Sequence, residues 1–349
     1  MKKVSVVILN WNGINLLKNH FRSILNQNYD NYEIIFVDNN SKDESVEFIN
    51  KIKKDFKHIP IKIHINKSNL GTAEGSNSAI HLCSGEYLLF LSNDMDFENN
   101  LISKLINLTD KYNDFGCGSV KFLTFKNGKK TDVIDSFGAE TDFMLAANSN
   151  YIGFENSVTS KIIDKEVGFV FGGCLLIKKN IFELVGMYDK EYFTLTDDID
   201  LCLRVRLLGL KIYVTNESHL YHRVSATLSK SNRHIKRFYS ERNNLRTILK
   251  CYNLKTIFMI LPLYLALLVG ESIFFACMLK FKIAMSPYRS IIWNLARLGS
   301  TINKRKKIQK FRKINDLELI NKMNKMPEKI KHFIDFTLNF NKPRWKNFF

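Results

Sequence analysis

The first hundred residues alternate between buried-strand and helix patterns, and this alternation constrains the fold more than any other feature. Val4 to Leu9 is an unbroken apolar run rich in β-branched residues, which is typical of a strand covered on both faces. A second buried strand is predicted at 33–37, and further strands are predicted at 61–65 and 86–91. The stretches between them have helical spacing, so the pattern predicts right-handed βαβ units and a mainly parallel sheet with helices on both faces.

Polar residues follow these strands at the points where they end. Asn10 follows the first strand, Asp38 to Ser41 follow the second, and Ser92 to Asp96 follow the fourth. Ligands of open parallel sheets bind beyond the carboxyl ends of the strands. We therefore expect a binding site at this edge of the sheet.

A second region follows, and the sequence predicts a boundary near residue 230. Residues 233–255 form a probable helix rich in Lys and Arg, and 256–279 are almost wholly apolar except for Pro262, Gly270 and Glu271. We expect residues 1–230 to bind nucleotide sugar and carry catalysis. Residues 231–349 are then a basic helical region with an apolar, membrane-associating segment at about 256–280.

The apolar segment leaves three alternatives open. It is long enough to span a bilayer, but Pro262 and Glu271 count against a span because an intramembrane charge is costly. Basic residues flank both ends, which suits a segment lying in the interface with both ends on one side. The third alternative is a buried helix of a soluble domain. The stretch KRKKIQKFRK at 304–313 suits anionic lipid head groups or a solvated helix face.

The formal net charge of +18 indicates a polyanionic partner, unless it reflects a general preference for Lys. The basic excess lies beside an apolar segment, so we expect an anionic membrane surface and no nucleic acid. None of the six cysteines has metal-ligand spacing, which suits a reducing compartment. The N-terminal apolar run is too short for a signal peptide. The expected location is the cytoplasmic side of the membrane, as a peripheral, monotopic or single-span protein.

Two groups of acids are suited to catalysis. Asp94 and Asp96 follow a buried strand, where carboxylate oxygens could bind Mg²⁺ or Mn²⁺. Asp197, Asp198 and Asp200 lie at a predicted helix start and are candidates for a general base. Turn formation and compensation of the helix dipole are the alternative explanations for each group.

Six motifs carry a resemblance to a known family. They are VSVVILNWNG, IIFVDNNSKDES, NLGTAEGSNSAI, YLLFLSNDMDFE, FGGCLLIKKNIFELVGMYDKEYF and TDDIDLCLRVRLLGLKI. In this order they resemble the successive motifs of the family 2 inverting glycosyltransferases, with the closest similarity to the rhamnosyltransferase-like branch. The resemblance covers about residues 3–250. It implies an α/β GT-A fold, a nucleotide-sugar donor, a divalent metal and single-displacement inversion.

The resemblance also implies roles for individual residues. Asp198 corresponds to the catalytic base, and the acceptor side is formed by Gly172, Gly173 and Asp197. The metal ligands are Asp94, Asp96 and His222, with Ser92 standing where the family's D-x-D motif has its first acid. The implied nucleotide-sugar-binding residues are Asn10, Asp38, Asn40, Asn69, Asn77, Asn93 and Arg204.

Together these features predict a glycosyltransferase that moves a sugar from a nucleoside-diphosphate sugar, such as dTDP-rhamnose or a UDP-sugar. The expected acceptor is a glycan or a polyprenyl-linked glycan at the membrane. One alternative is another nucleotide-using transferase, but NWNG lacks a G-x-G-x-x-G phosphate loop. A basic nucleic-acid- or membrane-binding protein without catalysis is the other alternative, and Asp94 and Asp198 speak against it.

Overall fold

The computed structural model describes residues 1–126, 128–223 and 233–331. The last eighteen residues of the predicted helical region lie outside these ranges. The strands are β1 Val4–Asn10, β2 Tyr32–Asp38, β3 Ile61–Ile65, β4 Tyr87–Ser92, β5 Met95–Phe97, β6 Phe115–Lys126, β7 Lys129–Ser136, β8 Ala139–Thr141, β9 Ala147–Ser149, β10 Asp164–Val167, β11 Cys174–Lys178 and β12 Lys211–His222.

Helices connect the early strands and then follow the last one. They are α1 Ile14–Leu25, α2 Ser45–Asp55, α3 Gly71–Ser78, α4 Leu101–Lys111, α5 Lys179–Leu184, α6 Asp197–Leu207, α7 Arg233–Cys251, α8 Leu254–Cys277, α9 Phe281–Ala284, α10 Ser286–Ala296, α11 Leu298–Phe311 and α12 Asp316–Asn321. Short 3₁₀ turns lie at Ile80–Leu82 and Asn156–Thr159.

The main sheet is mixed, with strand order β10-β12-β6-β11-β4-β1-β2-β3. β1 to β4 are mutually parallel where they pair, as the βαβ pattern predicts. β11 is antiparallel to both β4 and β6, whereas β12 is parallel to β6, so the expectation of a mainly parallel sheet holds for β1 to β4 and for the β6–β12 pair but not for the sheet as a whole. The reason lies in the connection, because a parallel neighbour needs a crossover, usually a helix. Here the chain runs from β6 to β11 through β7, which forms a hairpin with β6, and then through short strands.

Both faces of the sheet are covered, which explains the continuous apolar runs. Every residue of β2 is buried. On one face α1 packs with Leu17, Phe21 and Ile24, which recur at helical spacing. The strand ends are thereby fixed as one rigid edge.

The helical region shares its interior with the sheet. One core cluster contains Leu203 of α6, Ile248 of α7 and Tyr264 of α8. Arg246 and Lys250 of α7 are also buried, at 0% and 1% exposure. Arg246 pairs with Asp189, and Lys250 pairs with Asp189 and Asp200, so these buried cations join α7 to the chain before α6 and to α6 itself.

Within the described ranges, one helix is long and apolar enough to cross a membrane, namely α8. Most of its surface is not covered by the rest of the chain, since 28% of its most apolar window is buried. The expectation of an apolar segment at about 256–280 therefore corresponds to one continuous helix, although length and composition alone are weak evidence of membrane association.

Candidate active site

The carboxyl ends of β1, β2 and β4 meet, and their polar side chains bond to one another. Asn10 Nδ2 donates to Asp38 Oδ1 at 3.2 Å, and Asn93 Nδ2 donates to Asn10 Oδ1 at 2.7 Å. The register explains this, because Asn10 lies beside Asp38 at the parallel strand ends. Ser41 donates to the same carboxylate through its hydroxyl and its backbone N–H, at 2.6 and 2.7 Å. The sheet edge thus holds an ordered cluster of amides around one carboxylate.

Gly13 explains how the turn after β1 comes so close to this cluster. A Cβ atom at Gly13 would lie 2.3 Å from Asn10 Oδ1 and 2.5 Å from Asn93 Nδ2. Such contacts are far inside van der Waals distance, so a larger residue would break the bond between the two amides.

The other predicted nucleotide-binding amides lie near this edge but are bonded to backbone. Asn69 Oδ1 accepts from the Gly71 N–H at 2.9 Å, and Asn40 Nδ2 donates to the Lys67 carbonyl at 3.0 Å. Asn77 bonds to both backbone groups of Tyr188, at 2.9 and 3.2 Å. We infer that Asn77 holds α3 against the chain segment that precedes α6. Both polar groups of its side-chain amide have backbone partners in that contact.

Asp94 and His222 face each other at the end of β4 and the end of β12. His222 Nε2 lies 3.9 Å from Asp94 Oδ2, and Nδ1 lies 2.8 Å from Oδ2 of Asp135 on β7. Ser92 Oγ donates to the other oxygen, Asp94 Oδ1, at 2.5 Å. Burial lowers the pKa of His222, but the bond to Asp135 and the nearby Asp94 charge raise it by more.

Asp135 was missed by the sequence analysis. It is one of two acids on β7, with no recognisable motif around it. It reaches His222 because β7 pairs with β6, and β6 pairs in turn with β12. A carboxylate on Nδ1 orients the ring and directs Nε2 outward, as the outer partners of metal-binding histidines do.

Asp94 and His222 fit a divalent cation only in part. Their oxygen and nitrogen are the donor types that Mn²⁺ accepts, and they converge on one point. Over residues 1–126, 128–223 and 233–331, however, no three His, Cys, Asp or Glu side chains are grouped closely enough to hold a metal. Any cation here needs ligands from the substrate, as phosphate-binding metals commonly do.

Asp96, the third predicted metal ligand, is engaged elsewhere. Its Oδ1 lies 2.8 Å from Nδ1 of His20 on α1. His20 is buried, so this contact joins α1 to β5. The expectation that Asp96 ligates the metal is corrected by this placement, because its carboxylate bonds to the helix instead of joining Asp94.

Asp198 and the end of β4, two residues before Asp94, both bond to one glycine pair. Asp198 Oδ2 accepts from the Gly172 N–H at 3.1 Å, and the carbonyl of Gly173 accepts from the Ser92 N–H at 2.9 Å. A Cβ at Gly172 would lie 3.6 Å from Asp198 Cβ, which is ordinary contact. The glycine pair thus connects the start of α6 directly to the end of β4.

Asp197 and Asp198 are half-buried at the start of α6, and both have raised pKa values. Burial raises the pKa of Asp198. Burial and then the adjacent Asp198 charge raise the pKa of Asp197 to about 7, although Thr72 Oγ1 donates to its carboxylate at 3.1 Å. Carboxyl groups whose pKa is raised in this way are suited to accept a proton near neutral pH.

Arg204 lies nearly two turns further along α6 and does not face the site. Its guanidinium donates twice to Asp200 Oδ2, at 3.0 and 2.8 Å, and once to the Val185 carbonyl at 2.5 Å. It is 2% exposed. The expectation that Arg204 contacts the nucleotide is therefore corrected, since α6 is buried on all sides from Ile199 to Leu207 and the guanidinium is bonded to Asp200 and Val185.

Residues 5–186 match the protein family described as Glycosyl transferase family 2, which is more than half of the chain. The chain belongs to glycosyl transferase family 2. The site at the strand ends is therefore the candidate active site of this family 2 chain.

Among curated relatives, the enzyme is 28% identical over 248 residues to WfaP of Escherichia coli, covering 71% of this chain and 87% of that protein. WfaP is named UDP-Glc:α-D-GlcNAc-diphosphoundecaprenol β-1,3-glucosyltransferase. The chain spans less than half the length of the first curated relatives that it matches.

Solved structures share the fold at low sequence identity. GalNAc-T7 with UDP, GalNAc and Mn²⁺ matches with a TM-score of 0.57 at 17% identity, covering 71% of this chain and 48% of that one. The mannosyltransferase PcManGT from Pyrobaculum calidifontis, in complex with GDP-Man and Mn²⁺, matches with a TM-score of 0.53 at 14% identity, covering 84% and 87%. The fold is therefore of the GT-A type, with an added helical region.

Proposed function

We propose that this family 2 enzyme transfers a sugar from a nucleoside-diphosphate sugar to a membrane-bound acceptor, with inversion at the anomeric carbon. The observation that carries the proposal is the Gly172-Gly173 segment, which joins Asp198 to the Asp94 side of the site. A base and a diphosphate-binding edge on one cleft are what a single displacement requires.

The donor nucleotide fits the cluster of Asn10, Asp38 and Asn93. Amides and a carboxylate at the strand ends offer the donors and acceptors that a nucleobase and a ribose need. Asn40 and Asn69 lie on the adjoining loops and bound the same edge. UDP-sugars and dTDP-rhamnose are the donors to test first, and the name of WfaP supports a UDP-sugar.

A divalent metal, Mn²⁺ or Mg²⁺, would be held by Asp94 and His222. A cation bound there supplies positive charge against the departing diphosphate. Asp135 fixes the orientation of His222 from behind. The Mn²⁺ in the GalNAc-T7 and PcManGT complexes supports the same requirement for this enzyme.

In the proposed reaction, Asp198 accepts the proton of the acceptor hydroxyl as its oxygen attacks the anomeric carbon. The bond to the diphosphate breaks on the opposite face, and the configuration is inverted. The Gly172 N–H holds Asp198 Oδ2, and the Ile199 N–H holds Oδ1 at 2.8 Å. These bonds fix the carboxylate, and the absence of a side chain at Gly172 leaves room for the acceptor beside it.

We place the acceptor at the cytoplasmic face of the membrane and infer that it is a glycan carried on a lipid diphosphate or a growing surface polysaccharide. The diphosphoundecaprenol acceptor in the name of WfaP supports this class. The similarity to WfaP extends over 71% of this chain and includes the predicted acceptor-side residues.

A donor screen tests the proposal. Release of nucleoside diphosphate is measured with UDP-, dTDP- and GDP-sugars, with Mn²⁺ and with a chelator, in the presence of extracted lipid-linked acceptors. We expect one nucleotide class to turn over with Mn²⁺ and to lose activity in chelator. Full activity in chelator would contradict the proposed role of the metal. Hydrolysis of the nucleotide sugar at a rate that does not depend on acceptor would contradict sugar transfer.

A further inference from the structure

The apolar helix α8 packs one face on the protein and leaves the other outside. Its buried face is a stripe at helical spacing: Ile257, Ile260, Tyr264, Leu268 and Ser272. The outer face is equally apolar, with Phe258 76% exposed and Ile273 58% exposed. A helix of a soluble domain would have polar residues there. Large exposed apolar surfaces of this kind mark an interaction site.

Glu271, which interrupts the apolar sequence, lies against the protein. Its Oε2 accepts from Arg237 at 2.6 Å and from Lys329 at 3.1 Å. Lys329 also pairs with buried Glu241, and Tyr264 of α8 donates to Glu241 at 2.7 Å. Moving α8 away to span a bilayer would strand these buried charges, which is strongly unfavourable.

The neighbouring helix α10 also has one face packed on the protein and one exposed apolar face. Its inner side bonds to carbonyls of α7 through Ser286, Ser290 and Asn294, each at 2.9 Å. Its outer side exposes Ile292 and Leu295, at 65% each. Since α10 contacts α8, two adjacent helices present apolar side chains outward.

The charges around these helices identify the partner. The acids among residues 233–331 are Glu241, Glu271, Asp316, Glu318 and Glu328. Of these, Glu318 is the exposed one, and it lies on α12. Exposed basic residues include Lys255 and Lys282, at either end of α8, and Arg289 on α10. Apolar side chains bordered by cations complement a bilayer with anionic head groups.

We propose that the outer faces of α8 and α10 insert into one leaflet of an anionic lipid bilayer. α8 lies in the plane of the interface, with both ends on the same side and without crossing. Its 24 residues extend over about 36 Å along the protein surface. The inference does not depend on sugar transfer, and either can fail alone.

Flotation with vesicles tests the docking face. Purified full-length protein is mixed with phosphatidylglycerol–phosphatidylethanolamine vesicles or with phosphatidylcholine vesicles. The variant Phe258→Ser/Ile273→Ser/Ile292→Ser removes three exposed apolar side chains. The matched control Ile152→Ser/Phe154→Ser/Val158→Ser removes three others of similar exposure, at 55%, 56% and 54%.

We expect the α8–α10 variant to bind anionic vesicles at least about tenfold less than the native chain, and the control to stay within about twofold. Binding to phosphatidylcholine should be weaker, and the melting temperatures of both variants should match that of the native chain. Undiminished flotation of the α8–α10 variant, or an equal loss in the control, would overturn the docking face.

Thiol labelling distinguishes an interfacial helix from a span. Lys255→Cys and Lys282→Cys are made separately with Cys277→Ser, since the other five cysteines are buried. Sealed right-side-out and inside-out vesicles from expressing cells are treated with an impermeant maleimide. We expect both positions to react from the same side. Reaction from opposite sides shows a span, and absence of the protein from membranes shows no docking; either result refutes the proposal.

Discussion

His222 Nε2 lies 3.9 Å from Asp94 Oδ2, although the two residues come from strands on different halves of the sheet. The pair is brought together because β5, directly after Asp94, pairs antiparallel with the end of β12. A short strand that carries no catalytic residue therefore determines the geometry of the proposed metal position.

Asp94→Ala should weaken Mn²⁺-dependent binding of nucleoside diphosphate, because it removes the carboxylate of the pair. Asp96→Ala is the matched control two residues further along the chain, since its carboxylate bonds to His20. Calorimetric titration with UDP, dTDP and GDP at several Mn²⁺ concentrations measures the effect. Equal losses in the two variants would show that Asp94 has no special part in metal binding.

Asp135→Ala should reduce Mn²⁺ affinity by about 10- to 100-fold, because His222 loses the partner that orients it. The effect should appear in metal titration of the nucleotide complex, independent of turnover. Asp132→Ala is the control, as Asp132 is an exposed acid on the same strand. An unchanged Mn²⁺ affinity in Asp135→Ala would show that Asp135 does not orient His222 for metal binding.

Lys250→Met should destabilise the fold by up to about 3–5 kcal/mol, because it removes a buried cation that two buried carboxylates share. Lys250 Nζ lies 2.6 Å from Asp189 and 2.9 Å from Asp200 of α6, and the remaining cations, Arg246 on Asp189 and Arg204 on Asp200, compensate these charges in part. Urea unfolding measures the change against Lys255→Met, which alters an exposed lysine. A change below about 1 kcal/mol would mean that these charges do not couple the two regions.

The pH dependence of turnover should have an acid limb above the ordinary aspartate range. Burial raises the pKa of Asp198, so the ionised base is lost as the pH falls through that raised value. Asp197, with a pKa of about 7, titrates beside it. Asp198 raises the pKa of Asp197, so Asp198 ionises first, while Asp197 is still neutral; Asp197→Asn mimics that neutral form and should leave the acid limb of kcat/KM in place. A limb that moves to lower pH would show that Asp197 is already charged when Asp198 ionises.

The sequence predicted the first half of the sheet well, because β1 to β4 are buried runs joined by short helices. It failed for β11, whose direction depends on the irregular chain that leads to it. Among the site residues, the strand-end position alone indicated where Asn10 and Asp38 lie, and the structure brings them together.

Two predicted roles changed for reasons that no local pattern contains. Arg204 lies in a part of α6 that is covered on all sides and binds Asp200, and Asp96 binds His20 of α1. Asp135 has no motif and acquires its position through strand pairing far along the chain. Such contacts depend on tertiary packing, which spacing in the sequence does not determine.

The most direct test of the account is the Asp198→Asn variant, assayed for turnover and for donor binding in the same preparation. We expect kcat to fall by about 10²–10⁴-fold, because the general base is lost, while the isosteric side chain keeps one carbonyl oxygen that can accept one of the two backbone N–H bonds. The Kd of the nucleoside diphosphate with Mn²⁺ should stay within about twofold of the native value. Turnover near the native rate would contradict the assignment of Asp198 as the base.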